Sequence, residues 1–366
     1  MFRAMTRWMS RWRWGSHARP LGLASAVKSG AELESGEAAV GGRMRKPAFI
    51  ITVDVEEDDV WTWQPEVTTH NALFLPRFQK LCEKYGLRAT YLVNYEMIED
   101  RNCQAFVRDV TRRGVGEIGS HIHPWNSPPF DERGKLRDHV YMYELPTEAI
   151  HEKLELLTRR VADVVEQVPI SHRAGRWGLD ERVVRVLVDL GYLVDCSVTP
   201  GVSWRRYKGA GNGNGGPDYW GFPERPYFVD PSDICRSGTS PLLEVPVTVK
   251  PNYSSRLQRF HHVIEDSLPG KVLRRLVGPP FSRLSPDWKS VDALLKIVAW
   301  AFDKELPVVE LALHSSELMP GGSPTFRTRE HVESLYETLQ VLFRHMARLG
   351  VVSMTLAEYR LGWCDK

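Results

Sequence analysis

Cysteine is scarce in this chain and carries no pattern: five residues, Cys82, Cys103, Cys196, Cys235 and Cys364, with no CxxC pair among them. An odd, scattered set excludes a disulfide framework and a cysteine zinc site, and points to a reducing compartment, the cytoplasm. Net charge is nearly absent as well. Lys and Arg number 48 against 46 Asp and Glu, leaving +2, which excludes the strongly basic footprint of a dedicated nucleic-acid binder. No apolar run is long enough to span a membrane, and arginines interrupt any signal-like stretch. Internal repeats are missing too. Ser315 and Ser316 lack a GxSxG elbow, so they read as backbone-capping hydroxyls rather than nucleophiles.

Acidic residues are missing before Glu32, and in that segment Trp8, Trp12 and Trp14 alternate with Arg3, Arg7, Arg11 and Arg13. Two readings stand for residues 1–43: an Arg/Trp arm for a membrane surface or targeting, or an N-terminal extension without a core. The second, a disordered tail or an upstream start with Met44 as the true first residue, is the expectation.

What is present, at 366 residues and 42% hydrophobic, suffices for a sizeable core. From Pro47 the pattern alternates strand and helix. A β-branched run, Ile50 to Val53, ends in acids; a helix over 73–85 stops at Gly86; a second strand covers 88–95. Helix 103–113, strand 117–123, helix 147–167, strand 170–173, helix 180–190 and strand 193–198 follow. A Gly-, Pro- and aromatic-rich stretch, 201–238, reads as a long loop that lids a site. Strand 242–249, an irregular stretch, helix 288–304, strand 308–314, helix 328–349 and strand 351–355 complete the chain. This order predicts an α/β fold with a largely parallel sheet, open or closed into a barrel, and chemistry at the strand C-terminal ends.

Polar residues cluster at those ends. Asp54 and Glu56 are two apart on one strand, so both face the same way. His121 and His123 repeat that spacing on another. Two histidines and a carboxylate are a common ligand set for a catalytic zinc with an open position.

The stretches TVDVEED (52–58), GEIGSHIHPW (116–125), HRAGRW (172–177), VDCSV (194–198) and LALHSSEL (311–318) resemble, in order and spacing, the motifs of the polysaccharide deacetylase family, also called NodB-homology or carbohydrate esterase family four. RATYLVN resembles the family's second strand. The resemblance runs from about Pro47 to the last strand. It implies a distorted, incompletely closed (β/α) barrel, usually of seven strands, with a divalent metal, zinc being the expected ion, at its mouth. By position Asp54 matches the catalytic base, Glu56 the acidic metal ligand with Glu57 as a second candidate, and His121 the first metal histidine. The family's second histidine falls four residues later, where this chain has Trp125, and His123 is taken to replace it. Arg173 matches the residue that holds the base ionised, and His314 the general acid. Asp195 either orients His314 or caps a loop, and Arg176 is structural. Trp61, Trp63, Trp125 and Trp177 are expected sugar platforms, Trp125 and Trp177 foremost.

The activity so implied is removal of an acetyl group from an N-acetylated sugar of a glycan or its precursor, a carbohydrate partner. Two rivals stay open: a catalytically inactive glycan-binding or regulatory protein, and a hydrolase of a non-sugar amide or imide.

Overall fold

In the computed structural model the described residues are 46–62, 66–130, 139–210, 215–265, 267–287 and 289–363. The expected extension over residues 1–43, its boundary at Met44 and the expected platform Trp63 lie outside them.

The first half alternates strand and helix: β1 (Ala48–Val55), α1 (Leu75–Lys84), β2 (Ala89–Val93), the short α2 (Tyr95–Glu99), α3 (Arg101–Arg113), β3 (Gly116–Ile122), α4 (Thr147–Val165), β4 (Ser171–Ala174), α5 (Glu181–Asp189) and β5 (Val194–Asp195). Local chemistry fixes these limits. Leu75, Phe78, Leu81 and Cys82 give α1 one buried face, each such large apolar side chain contributing ~1.5–3 kcal/mol on burial. Asp100 caps α3 by accepting from the Asn102 and Cys103 amides, and Gly114 ends it at φ +60, where a β-carbon would be strained.

The second half departs from the expected pattern. The stretch expected as a long loop contains an antiparallel pair, β6 (Tyr227–Asp230) and β7 (Asp233–Ser237). The next strand is split into β8 (Leu243–Glu244) and β9 (Val249–Pro251). The irregular stretch holds two helices, α6 (Ser255–Ile264) and α7 (Leu268–Val277), and β10 (Phe281–Arg283), which pairs with β9. Then come α8 (Val291–Asp303), β11 (Val308–His314), α9 (Arg329–Leu349), β12 (Val352–Ser353) and α10 (Leu356–Trp363). No helix among the described residues is long and apolar enough to cross a membrane.

The sheet order is β11-β1-β2-β3-β4-β5-β8-β6-β7, with β12 paired to the start of β1. From β11 to β8 every neighbour is parallel, giving the expected seven strands. The sheet curls, and single bonds span the seam where it fails to close: Leu284 N donates to Thr248 O and Ala312 N to Leu284 O, both near 3 Å. The result is a distorted, open (β/α) barrel.

Alternation along β1 then partitions the chemistry. Phe49, Ile51, Val53 and Val55 point outward into the core shared with the helices. Ala48 and Ile50 point inward, where Leu356 and Tyr359 of α10 plug the barrel floor. Thr52, Asp54 and Glu56 continue the inward face upward, so the interior passes from apolar floor to polar mouth along one strand.

Candidate active site

Three buried ligand atoms meet at the mouth. Glu56 Oε2 lies 3.2 Å from both His121 Nε2 and His123 Nε2, and the two nitrogens are 3.0 Å apart. These separations approximate the edges of a tetrahedral site with bonds of ~2.0–2.1 Å. Each histidine is oriented from behind. His121 Nδ1 donates to the Arg173 carbonyl at 2.9 Å. His123 Nδ1 donates to Glu57, 3.1 Å from each oxygen. With both Nδ1 protons so placed, the Nε2 atoms and the Glu56 oxygen enclose a point that needs positive charge. Burial opposes a charge on His123, but Glu57 and Glu56 outweigh it and hold the imidazole pKa well above the usual range, which shows how strongly this point attracts positive charge. A divalent ion would take the same place, and the donor set fits it; Glu56, His121 and His123 form a group able to hold a metal.

Asp54, two residues before Glu56, lies against Arg173 (Oδ1 to NH1 2.7 Å). Burial alone would push this carboxyl up, and the guanidinium instead holds it below the usual carboxylate range. Arg173 is itself fully buried and fixed on every side: Nε donates to Cys196 O at 3.0 Å, NH2 to Thr52 Oγ1 at 2.9 Å and to Glu310. Glu310 shares the guanidinium, yet burial dominates there and its pKa rises. One cation thus serves two carboxyls whose proton affinities are driven apart.

His314 closes the site from β11, in register with Asp54. Its Nδ1 is 2.5 Å from Glu56 Oε1 and 3.9 Å from Asp54 Oδ2. Burial disfavours the imidazolium, but Glu56 and Asp54 prevail and the pKa rises to about 9. The Glu317 carboxylate accepts from the His314 amide at 2.9 Å. Ser315 Oγ accepts from Glu56 N at 3.1 Å and donates to Glu56 O, the backbone-capping role expected of it.

Two expectations are revised. Asp195 does not meet His314. Register pairs it with His172, and Arg173 pairs with His121, so alternation turns Asp195 to the outer face. There it accepts from the Ser197 amide and faces Glu244; burial pushes both carboxyls up, Glu244 well above its usual range. Trp125 is no sugar platform. It is 2% exposed and stacked between His123 (4.4 Å) and His139 (4.7 Å), so both ring faces are taken and its part is to hold His123 in place. Trp177 lines a small cavity with Asp54 and His314, under the guanidinium groups of Arg173 and Arg283. Trp61 stands half-open with its ring 5.0 Å from His314. Arg176 lies over the Tyr141 ring and donates to Lys208 O, a structural role.

No protein-family model matches this chain, and no curated protein matches it in sequence. Solved structures do match in three dimensions. A Parabacteroides distasonis protein assigned as a glycoside hydrolase/deacetylase superposes with a TM-score of 0.59 at 11% identity, over 89% of this chain and 73% of that one. Puue allantoinase superposes with a TM-score of 0.50 at 14% identity, over 89% and 93%. The chain shares its fold with these two proteins.

Sequence reasoning missed the residues that hold the site together. Asn94 and Asn126 donate to opposite oxygens of Glu57 at 2.6 and 2.8 Å. Asn94 ends β2 and Asn126 follows the HxHPW stretch, so strand-end placement was the available signal. For Glu310 the signal was an acid inside an otherwise apolar strand run, VVELALH.

Proposed function

We propose that this chain is a metal-dependent amide hydrolase that removes acetyl groups from an N-acetylated sugar of a glycan or glycan precursor, with zinc as its ion. The observation that carries this reading is the convergence of Glu56, His121 and His123 beside an ionised Asp54 and a cationic His314. When bound, the ion supplies polarisation of the scissile carbonyl and a more acidic water. Asp54, kept ionised by Arg173, accepts a proton as water adds to the acetyl carbon. His314 gives its proton to the departing nitrogen as the C–N bond breaks. The amide plus water becomes a free amine plus acetic acid, and no covalent intermediate is required. Trp61, exposed beside His314, offers apolar surface to a sugar ring, whereas Trp177 is buried and stacked on Trp204 in the cavity wall. Free thiols at Cys82, Cys103, Cys196 and Cys235 support action in the cytoplasm.

A second reading, hydrolysis of a cyclic amide or imide, is favoured by the likeness to Puue allantoinase over 93% of that chain. Protein prepared without chelator is to be assayed for bound metal, for acetate release from N-acetylglucosamine oligomers, and for ring opening of allantoin and simple cyclic imides. Zinc near one per chain with acetate release supports the first reading, and ring opening alone supports the second. Zinc-free protein that no added metal activates overturns both and favours a glycan-binding role.

A further inference from the structure

Helices α6 and α7 form a hairpin that rises from the β9–β10 pair, tied at its base by Tyr253 Oη donating to Gly278 O. A β-carbon on Gly270 would collide with the Ile264 carbonyl, so the two helices approach closely at the turn. What distinguishes the hairpin is its outer surface. In α7 the residues Leu268, Val272 and Leu276 recur at intervals of four, which is one helix face, and they are 75%, 48% and 79% exposed. Val277, and Phe260 and Val263 of α6, are exposed as well, Val263 at 83%. Gly270 is the only buried residue of α7 and His261 the only one of α6. Leu257, Ile264 and Leu273 are half-buried, but the other large apolar side chains of these amphipathic helices are turned away from the protein.

Charge on the two helices is basic, the acids Glu265 and Asp266 falling between them in sequence. Lys271 and Arg275 flank the Leu268–Leu276 face, Arg256 and Arg259 lie on α6, and all four are exposed without a carboxylate partner among the described residues. Glu265 is occupied by Arg205 at 3.3 Å. An apolar stripe edged by unpaired cations is the pattern of a helix that lies in the interface of a membrane bearing anionic headgroups. A protein partner would need an apolar patch edged by acids. A second copy of this hairpin would set cation against cation.

We propose that the α6–α7 hairpin docks this protein onto an anionic phospholipid surface, with Leu268, Val272 and Leu276 entering the acyl boundary and Lys271 and Arg275 at the headgroups. The inference stands apart from the catalytic reading and would survive its failure. The inner side of the same hairpin, through His261, Glu265 and Arg274, lines a groove of about 360 Å³ that Arg283 also lines. Arg283 also borders the cavity that holds Asp54 and His314.

The test is co-sedimentation of the full chain with vesicles of phosphatidylcholine alone and of phosphatidylcholine with phosphatidylglycerol. Expected are binding to the anionic vesicles only, weakened by 0.5 M salt, and a loss of more than about tenfold in the partition coefficient for Lys271→Glu with Arg275→Glu. Val272→Asp with Leu276→Asp should lose as much. Because these side chains are exposed, both variants should keep the wild-type melting temperature. Unchanged vesicle binding in both variants overturns the proposal. So does a wild type that ignores vesicles, or that is a dimer in solution converted to monomer by Val272→Asp with Leu276→Asp, which would make the face a self-association surface.

Discussion

Glu57 accepts from His123 Nδ1 with both oxygens at 3.1 Å and is itself pinned by Asn94 and Asn126. It sits beside the Glu56 ligand in sequence but points to the back of the histidine, where it fixes which ring nitrogen faces the centre. Glu57→Ala should therefore weaken zinc binding by ~10–100-fold while all three ligands remain. Calorimetric titration with zinc measures this, and wild-type affinity in the variant would remove Glu57 from the account of the site.

Asp54 lies beside the Glu56, His121 and His123 group that could hold a metal and is not part of it. Asp54→Asn should leave zinc stoichiometry at the wild-type level and lower turnover by ~10²–10⁴-fold, the contribution of a positioned base. Loss of metal in this variant would instead make Asp54 a ligand.

Arg173 serves two buried carboxyls, at 2.7 Å from Asp54 and in contact with Glu310. Arg173→Met leaves Glu310 without its counter-charge and Asp54 with only the more distant His314, and should destabilise the fold by ~3–5 kcal/mol. Adding Glu310→Gln should recover part of that loss, because one orphaned carboxyl is removed. Denaturant unfolding of the single and double variants reads the coupling, and strict additivity would show that the two residues act independently.

His172 is buried on the outer face, with Nδ1 2.9 Å from Ser120 Oγ, and burial pushes its pKa down to about 3 from 6.5. Between those values the unfolded chain binds a proton that the folded chain does not. Stability is therefore full above pH 6.5 and lost as pH falls toward 3, by at most ~1.4 kcal/mol per unit from this group. His172→Asn should flatten that part of the stability–pH curve. An identical slope in the variant would show that His172 is not held neutral.

The inward face of the barrel was legible because alternation is a property of a strand considered alone. Asp54 and Glu56, and His121 and His123, had to share faces once their strands were recognised, and their closure into one ligand set follows from the order of β1, β2 and β3 in the sheet. Of the two readings of Asp195, its bond from the Ser197 amide matches the loop cap and not the partner of His314. Its face depends on the register of β5 against β4, and no local pattern records register across 22 intervening residues. Trp125 failed as a platform: a tryptophan near a motif looks the same in sequence whether its faces are open or covered, and only the approach of His139 from another segment decides between them.

By itself the sequence determined the alternation of strand and helix through β5, the strand ends that carry acids and histidines, and the inward pairing of residues two apart. These rest on short-range periodicity and steric limits. Only the tertiary structure puts Glu57 behind His123, sets Arg173 against Glu310 as well as Asp54, turns Asp195 outward, and leaves the Leu268–Leu276 face of α7 uncovered. Each of these is set by which surface arrives from a distant part of the chain, and burial, register and charge compensation exist only once those surfaces meet.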